Sequence, residues 1–283
     1  MRFRTDLARE KTEINNVGAE EESFISYGIN GYHVRLNEYN SELDKDKGNY
    51  VSFETDVVLN RNVEEYENVS RAIAQKLSEL LGEVKNKTVL VAGLGNGMMT
   101  PDSIGPKTID NIFVTRHIFE FMPEIKDERM TSVCAFKPGV LGVTGLESTD
   151  VIFSVCKNNS IDTVIVIDAL AARRRERMFS TFQLTDTGIE PGAGVGNKRR
   201  GLTNETLGIP VIAIGIPTVV YASSLIYDAL EGTGREIGIK DDMIVTPKEI
   251  DVVASDSARI IADGINLALH RGMELDEIKA YMF

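Results

Sequence analysis

Val164-Ile165-Val166-Ile167-Asp168-Ala169-Leu170 is the stretch of sequence that decides the fold of this chain. Its aliphatic run lacks the polar residue at every second position that a half-exposed strand shows, and it therefore predicts a strand covered on both faces. Similar runs lie at Thr88 to Ala92 and at Val211 to Ile216, each beside a Gly/Pro loop and a helical pattern. These runs predict an α/β fold with an open, mostly parallel twisted sheet covered by helices on both faces.

Helical spacing of apolar residues predicts the elements that cover this sheet. The predicted helices span Asn62 to Lys85, Pro101 to Phe121, Thr149 to Asn158, Thr218 to Leu230 and Thr246 to His270. We therefore expect the core to extend over residues 61–283.

The residues before this core predict a small β-rich addition. Runs of aromatic and β-branched residues, typical of strands, lie at Phe24 to Ile29, Tyr32 to Leu36 and Tyr50 to Val58. Asn30-Gly31 between the first two runs predicts the turn of a hairpin. We expect residues 7–60 to form the N-terminal part of one domain that covers residues 7–283.

Charge and composition restrict the partners of the chain. Its 283 residues carry 31 Lys and Arg against 43 Asp and Glu, a formal net charge of −12, which disfavours direct binding to nucleic acid. The start has no signal-peptide pattern, and no run of about 18 apolar residues follows it, so we expect a soluble, cytoplasmic protein without a membrane partner. Cys134 and Cys156 lie in apolar runs without a CxxC or Cys/His cluster, which favours free thiols.

An acid follows the first buried strand, at the end of the loop Gly93-Leu94-Gly95-Asn96-Gly97-Met98-Met99-Thr100-Pro101-Asp102. A dinucleotide-binding loop needs glycine where Met98 stands and an acid at the end of the next strand, where Phe136-Lys137-Pro138 stands. The sequence thus disfavours a nucleotide-binding oxidoreductase, and we expect no cofactor. Asp102 has two open interpretations: an acid favoured by the dipole of a helix that Thr100 caps, or a functional carboxylate.

A second acid, Asp168, follows the aliphatic run, and we place it at the carboxyl end of that strand, where open α/β sheets form their ligand crevices. Helix capping or an ion pair with Arg173 is the structural alternative. Burial raises the pKa of a carboxyl group, and two acids at neighbouring strand ends can share a proton and activate water. On the residues alone, both interpretations of Asp168 stay open.

Glycines are concentrated between Asp186 and Arg200. The main-chain N–H groups of such a loop could hold an extended peptide or an oxyanion, and a plain flexible loop is the alternative. The candidate contact residues are Gly192, Gly194, Gly196 and Asn197. The three histidines lie far apart in the sequence and match neither a Ser-His-Asp triad nor an HExxH zinc motif. They are His33, His117 and His270. Because they provide no ligand set, we expect no catalytic metal.

Longer blocks of sequence join these loops into one ordered pattern. The blocks are Arg4 to Ala8, Gly93 to Asn96 with Thr100 to Asp102, Gly139 to Gly145, Ile167 to Arg173, Asp186 to Ile189, Pro191-Gly192, Gly194 to Arg199, Thr206 to Val220 and Val245 to Asp251. Together they resemble the germination protease family of spore-forming bacteria. The resemblance implies a fold like that of hydrogenase-maturation proteases and an endopeptidase that degrades small acid-soluble spore proteins when spores germinate.

The resemblance also implies roles for individual residues. In that family the catalytic carboxylates belong to the Thr-Pro-Asp and Ile-Asp-Ala-Leu segments, which correspond to Asp102 and Asp168 in this sequence. We expect these two acids to hold a water between them without a metal, one acting as base and the other, protonated, polarising the scissile carbonyl. We expect the loop from Gly192 to Gly196 to contact an oxyanion or the substrate backbone.

Processing of a precursor is a further implication. Family members are made as inactive tetramers that remove a short N-terminal segment, and alignment of Arg4 to Glu10 places the cut between Asp6 and Leu7. Residues 1–6 are then a propeptide and residues 7–283 the peptidase domain. An acid followed by an apolar residue, Ala, any residue and Glu also resembles the sites cut in spore proteins. The expected partners are those proteins and further copies of this chain, in the cytoplasm of the forespore or spore core.

Several positions depart from the family pattern. Gly97-Met98-Met99 stands where Trp-Asn-Val is usual, Gly192-Ala193-Gly194 where Gly-Ser-Gly is usual, and Tyr221 where Asp is frequent. These departures keep a rival hypothesis open, namely a catalytically inactive relative of the same fold that binds spore proteins.

Overall fold

The computed structural model describes residues 4–15, 19–192, 196, 199–230 and 243–282. Within these ranges nine strands form one mixed sheet: β1 (Glu20–Ser26), β2 (Ile29–Leu36), β3 (Gly48–Glu54), β4 (Thr88–Gly93), β5 (Ser132–Phe136), β6 (Thr163–Ala172), β7 (Thr181–Thr185), β8 (Val211–Tyr221) and β9 (Ile244–Val245). The α-helices in the same ranges are α1 (Ala8–Asn15), α2 (Tyr66–Leu81), α3 (Ile104–Ile109), α4 (Arg116–Phe121), α5 (Leu141–Thr144), α6 (Ser148–Asn158), α7 (Asn204–Leu207), α8 (Ala222–Leu230), α9 (Ile250–Leu269) and α10 (Leu275–Met282). The strand order is β1-β2-β3-β7-β8-β6-β4-β5, and β9 pairs with β8.

The strands β5, β4, β6 and β8 are parallel neighbours and form the centre of the fold. Alternate residues of β4 and β6 belong to different apolar layers: Val91 and Ile165 cluster with residues of α2 and α9, and Leu90 and Val164 cluster with residues of α6. All four side chains are buried. Burial on both faces explains the uninterrupted aliphatic runs, and it confirms the predicted α/β fold with helices on both faces of the sheet.

The N-terminal strands continue the same sheet, because β7 pairs antiparallel with both β3 and β8. The hairpin turn predicted at Asn30-Gly31 is wrong, since Tyr27 and Gly28 form the turn between β1 and β2. Both take the positive φ angles, 49° and 79°, that a type I′ turn requires. Gly31 lies inside β2 under the ring of Phe24, where a Cβ atom would stand 2.3 Å from Cζ of that ring.

The predicted ends of two core strands are also wrong. β6 and β8 continue to pair beyond Asp168, through an irregularity after Leu170, as far as Ala172 and Val220. The residues Thr218 to Tyr221, predicted as helix, therefore belong to β8, and the helix covers only Ala222–Leu230 of the predicted span. Pairing with β6 decides their conformation, which helical periodicity alone could not indicate.

The helix predicted from Pro101 to Phe121 is interrupted. A 3₁₀ turn spans Thr100–Asp102, and α3 and α4 follow as separate helices. Between them, the Phe113 N–H donates to Asn266 Oδ1 of α9, and Asn266 Nδ2 donates to the Asn111 carbonyl, each at 2.9 Å. The buried amide of α9 thus holds this segment out of helical conformation.

A close contact between two glycines brings the 3₁₀ turn to the end of β4. A Cβ atom at Gly93 would stand 2.3 Å from the Gly105 carbonyl oxygen, and one at Gly105 would stand 2.1 Å from the Leu94 carbonyl oxygen. Side chains at these positions would collide with main chain, so only glycine allows the approach. The start of α3 therefore lies directly on the end of β4, and Asp102 comes next to the sheet.

We expect Gly105→Ala to lower the free energy of unfolding by about 1–3 kcal/mol, because the added methyl group forces α3 away from β4. Gly142→Ala is the matched control, since Gly142 is also helical and a Cβ atom there meets nothing within 4 Å. Helix propensity favours the control substitution by up to about 1 kcal/mol. Urea denaturation followed by circular dichroism measures both variants, and an unchanged transition midpoint for Gly105→Ala would contradict the close contact.

Candidate active site

A cleft of about 630 Å³ lies beside the carboxyl end of β4, where β6 and β8 continue past it. Its lining comes from well-separated parts of the sequence and includes Asp6, Lys45, Asp102, Asp168, Gln183 and Gly192. The structure thus places in one cleft the two aspartates that sequence analysis singled out.

Asp102 is oriented by the loop after β4. Its Oδ2 atom accepts the Asn96 N–H at 2.8 Å. From β8, the Thr218 hydroxyl donates to the Pro101 carbonyl at 2.7 Å and fixes the 3₁₀ turn. Gly95 has a φ of 101°, and a Cβ atom there would stand 2.2 Å from the Asp102 carbonyl oxygen. Because the turn is only three residues long, the loop contacts rather than a helix dipole account for the position of Asp102.

Asp168 lies inside β6 and not at its carboxyl end, so that prediction is wrong. It follows Ile167, the last residue of β6 that pairs with β4, and its side chain therefore lies level with the end of the neighbouring strand. Asp168 is only 7% exposed, and its Oδ1 atom accepts the Ala169 N–H at 2.9 Å. Arg173, its suggested structural partner, forms an ion pair with Asp228 at 2.6 Å.

The two carboxyl groups differ in their affinity for a proton. Burial raises the pKa of Asp168 well above its usual value, and the negative charges of Asp102 and Asp6 raise it further. Burial also raises the pKa of Asp102, but the hydrogen bond from the Asn96 N–H counteracts the rise. Asp168 is therefore the member of the pair that holds a proton more firmly, and Asp102 is the member that ionises first.

The N-terminal segment lies in the same cleft. The Asp6 N–H donates to the Ala171 carbonyl at 2.9 Å, and the Ala171 N–H donates to Asp6 Oδ2 at 2.8 Å. The Lys45 ammonium donates to the Asp6 carbonyl oxygen at 3.0 Å. Leu7 is 1% exposed and packs in the main apolar cluster of the sheet. Of the two residues predicted to flank a processing site, Asp6 thus lines the cleft of the two aspartates, and Leu7 packs in the core behind it.

A buried carboxylate anchors this segment. Glu10 is fully buried and accepts the N–H groups of Arg173 and Arg174, each at 2.8 Å. The Thr5 hydroxyl donates to the same carboxylate at 2.5 Å. Sequence analysis missed Glu10 and Lys45, because no local motif marks them and their partners lie far away in the sequence.

The glycine-rich loop reaches the same segment. Gly192 lines the cleft, and a Cβ atom at Gly196, whose φ is 72°, would stand 2.8 Å from Nη1 of Arg4. The Arg4 guanidinium also donates to the Tyr221 hydroxyl at 3.2 Å and lies over its ring. The remaining predicted contact residues of the loop lie outside the described residues: Gly194 and Asn197.

Among the residues that the structure describes, no three His, Cys, Asp or Glu side chains lie close enough to hold a metal ion. His33 pairs with the Asn49 side chain at 2.9 Å, and burial lowers the pKa of His270 to about 4. Over the same described ranges, no helix has the length and apolar character needed to cross a membrane.

We expect Asp168→Asn to raise the thermal stability of the chain at about pH 8. Because the pKa of Asp168 is higher in the folded than in the unfolded state, wild-type stability falls as the pH rises from the unfolded pKa through the folded one. Asn stays neutral and keeps an acceptor for the Ala169 N–H. The melting temperature of Asp168→Asn should therefore exceed that of the wild type at about pH 8 and equal it near pH 3. Variant and wild type that melt at the same temperature at both pH values would contradict the raised pKa.

Comparison with known proteins identifies relatives over nearly the whole chain. The model of the germination protease family matches residues 3–240 and 235–282. Germination proteases from Clostridium acetobutylicum and Caldanaerobacter subterraneus subsp. tengcongensis are 36% and 38% identical to this chain, with 99% and 98% of it covered and 98% and 97% of the relatives. The germination protease of Halalkalibacterium halodurans is 36% identical, with 93% of this chain and 89% of that protein covered.

A solved structure with some likeness is that of the NiFe hydrogenase maturation protease HycI from Thermococcus kodakarensis KOD1. It is 16% identical, with 67% of this chain and 98% of that chain covered and a TM-score of 0.38. The family model and the full-length relatives carry the assignment. On their evidence, the chain belongs to the germination protease family.

Proposed function

We propose that this chain is an aspartate-dependent endopeptidase that initiates the degradation of small acid-soluble spore proteins during germination. As a member of the germination protease family it is a protease of spore germination. The observation that supports the finer proposal is the cleft in which Asp102 and Asp168 lie together with Asp6, the residue before the predicted cut.

In the proposed reaction, a water molecule held between the two acids attacks the carbonyl carbon of the scissile peptide bond. The Asp102 carboxylate accepts a proton from this water, because Asp102 ionises more readily than Asp168. Protonated Asp168 donates a hydrogen bond to the carbonyl oxygen as negative charge develops there. The C–N bond then breaks, and the proton taken by Asp102 passes to the leaving amine. Water thus supplies the hydroxyl group of the new carboxyl end and the proton of the new amine.

The chain is also proposed to process itself from an inactive, homotetrameric precursor. Residues 1–6 are the propeptide, and the cut falls between Asp6 and Leu7. The placement of Asp6 in the cleft, with its carboxylate bonded to the Ala171 N–H at 2.8 Å, supports a segment that binds as a substrate does. The Asp6-Leu7-Ala8-Arg9-Glu10 pattern would be shared with spore-protein substrates, since acid, apolar residue, Ala and Glu occupy the corresponding positions.

Substrate contact and location complete the proposal. The main-chain N–H groups of the loop from Gly192 to Gly196 are proposed to contact the substrate before the cut, and the supporting observation is that Gly196 lies beside the guanidinium group of Arg4. The partners are small acid-soluble spore proteins and other copies of the chain, in the cytoplasm of the forespore or spore core. Neither a nucleic acid nor a membrane is a partner, in keeping with the net charge of −12.

A second candidate function is that of an inactive relative that binds spore proteins. Its supporting observation is the exposed pair Met98 and Met99 in the loop before Asp102, where the family pattern has other residues; Met98 is 91% exposed. Such apolar side chains beside a cleft could hold a protein without cutting it.

We expect Asp102→Asn and Asp168→Asn each to lower kcat/KM for a small acid-soluble spore protein by about 10²–10⁴-fold, because each removes a proton-transfer group. Intact mass spectrometry of enzyme and substrate measures cleavage. Wild-type chain should also lose six residues from its own start, and the variants should not.

The control is Asp110→Asn, which removes an exposed aspartate that pairs with Lys137 outside the cleft. It should cleave like the wild type. Full activity of either active-site variant would refute the two-aspartate mechanism, and a stable complex with uncut substrate for the wild type would favour the binding protein.

Chelators provide an independent test. We expect EDTA and 1,10-phenanthroline to leave cleavage unchanged, because the proposed reaction uses two carboxyl groups to activate water. Activity is measured after dialysis against each chelator, with and without added zinc. Loss of cleavage that zinc restores would instead demand a metal-bound water.

A further inference from the structure

The carbonyl oxygen of Asp6 is held by two side chains from different elements. Lys45 Nζ donates to it at 3.0 Å, and Gln183 Nε2 of β7 donates to it at 3.4 Å. This oxygen belongs to the peptide bond between Asp6 and Leu7, the bond that the proposed self-processing breaks. Both side chains line the cleft that holds the two aspartates.

Lys45 lies in a loop that hydrogen bonds and a buried leucine hold in place. The Asn40 and Lys45 main chains bond to each other in both directions, at 2.9 and 3.2 Å. Asn40 Oδ1 accepts the N–H groups of Glu42 and Leu43, each at 3.0 Å, and Leu43 is 1% exposed. The loop is thus anchored in the core, and the Lys45 ammonium additionally lies 5.6 Å from the centre of the Tyr50 ring.

The surroundings of Lys45 disfavour the charged form of its side chain. Burial lowers the pKa of its ammonium, while nearby carboxylates counteract the effect. These are Asp6, Glu190, Asp44 and Asp46. A purely structural pairing with Asp6 would place the ammonium on the carboxylate, yet the hydrogen bond goes to the main-chain carbonyl, and Asp6 Oδ2 accepts from Ala171.

Gln183 uses both ends of its amide on the same segment. Its Oε1 atom accepts the Ala8 N–H at 2.7 Å, and its Nε2 atom faces the Asp6 carbonyl. The residue is 7% exposed and lies in β7 between β3 and β8. A rigid strand therefore carries the second donor, and the two contacts bracket the Asp6–Leu7 bond.

We propose that Lys45 and Gln183 form the oxyanion site of this protease, with Lys45 as a further catalytic residue that binds the carbonyl oxygen of the residue before the cut. The inference rests on the proposed endopeptidase function. It assigns the oxyanion to side chains of the loop before β3 and of β7. The glycine-rich loop, whose Gly196 lies beside Arg4, then contacts the third substrate residue before the cut.

The chemistry of this site follows the course of the reaction. When water attacks the Asp6 carbonyl carbon, the C=O π electrons move to the oxygen, which becomes an alkoxide with three lone pairs. The Lys45 ammonium and the Gln183 amide already donate to this oxygen, and in the proposed reaction protonated Asp168 is the third donor. A buried charged donor such as Lys45 stabilises this alkoxide more than it stabilises the neutral carbonyl. Collapse restores the C=O bond as the bond to the Leu7 nitrogen breaks, and Lys45 keeps its proton throughout.

The test compares the full-length wild-type chain with Lys45→Met, Gln183→Glu and the control Lys47→Met. Each is assayed for loss of its own first six residues by intact mass, and for kcat and KM on a small acid-soluble spore protein. We expect Lys45→Met to lower kcat by about 10²–10³-fold with a KM within about threefold of wild type, because the donor acts on the transition state. Lys47, two residues further along and exposed, should be replaceable without effect.

Gln183→Glu keeps the shape of the side chain and an acceptor for the Ala8 N–H, but it turns a negative oxygen toward the developing alkoxide. We expect a fall in kcat of at least about tenfold. If Lys45→Met melts at a much lower temperature than wild type, the kcat of Gln183→Glu becomes the test of the oxyanion site. Unchanged kcat in folded Lys45→Met or in Gln183→Glu, or a rise in KM alone, would overturn the oxyanion site and leave the protease function intact. A wild-type chain that cuts neither itself nor the spore protein would overturn both.

Discussion

Burial of an ionisable carboxyl group in the middle of a parallel sheet is the constraint on which the rest of this structure depends. Asp168 is 7% exposed, and an isolated charge in such a position is strongly unfavourable. The end of β4 at Gly93, beside strands that continue, gives the carboxyl group access to a cleft. The contact of Gly93 with Gly105 then brings Asp102 to the same cleft. The burial that costs stability also raises the pKa of Asp168, and a proton donor requires that property.

The extension of β6 beyond Asp168 has a second consequence. Ala171, three residues further on, pairs with Asp6, and the main chain after it binds Glu10. Glu10 is as deeply buried as Asp168, but it accepts two main-chain N–H groups and the hydroxyl of Thr5. Hydrogen bonding satisfies one carboxylate, while burial and neighbouring charge raise the pKa of the other. The same strand therefore positions both Asp168 and the N-terminal segment in front of it.

The outcome of sequence analysis differed between elements for physical reasons. The parallel strands could be predicted because residues buried on both faces must be apolar along the whole strand. The turn predicted at Asn30-Gly31 was wrong, since the ring of Phe24 fills the space above Gly31 inside a strand. The predicted start of the helix at Thr218 was wrong, because pairing with β6 keeps this segment in β8 and the helix begins only at Ala222. Asp102 and Asp168 could be singled out from their positions after aliphatic runs and from the resemblance, which left the choice of base open.

The sequence by itself determined the α/β class, the acidic net charge and the two aspartates as candidates, because apolar periodicity, residue charge and loops after strands are local properties of the chain. Only the tertiary structure decided that Asp168 is the more firmly protonated acid and that Lys45 and Gln183 meet at the Asp6 carbonyl. Burial, the charge of a neighbour and a hydrogen bond between remote residues exist only after packing. Their strength depends on distance and exclusion of water, which no local pattern of residues encodes.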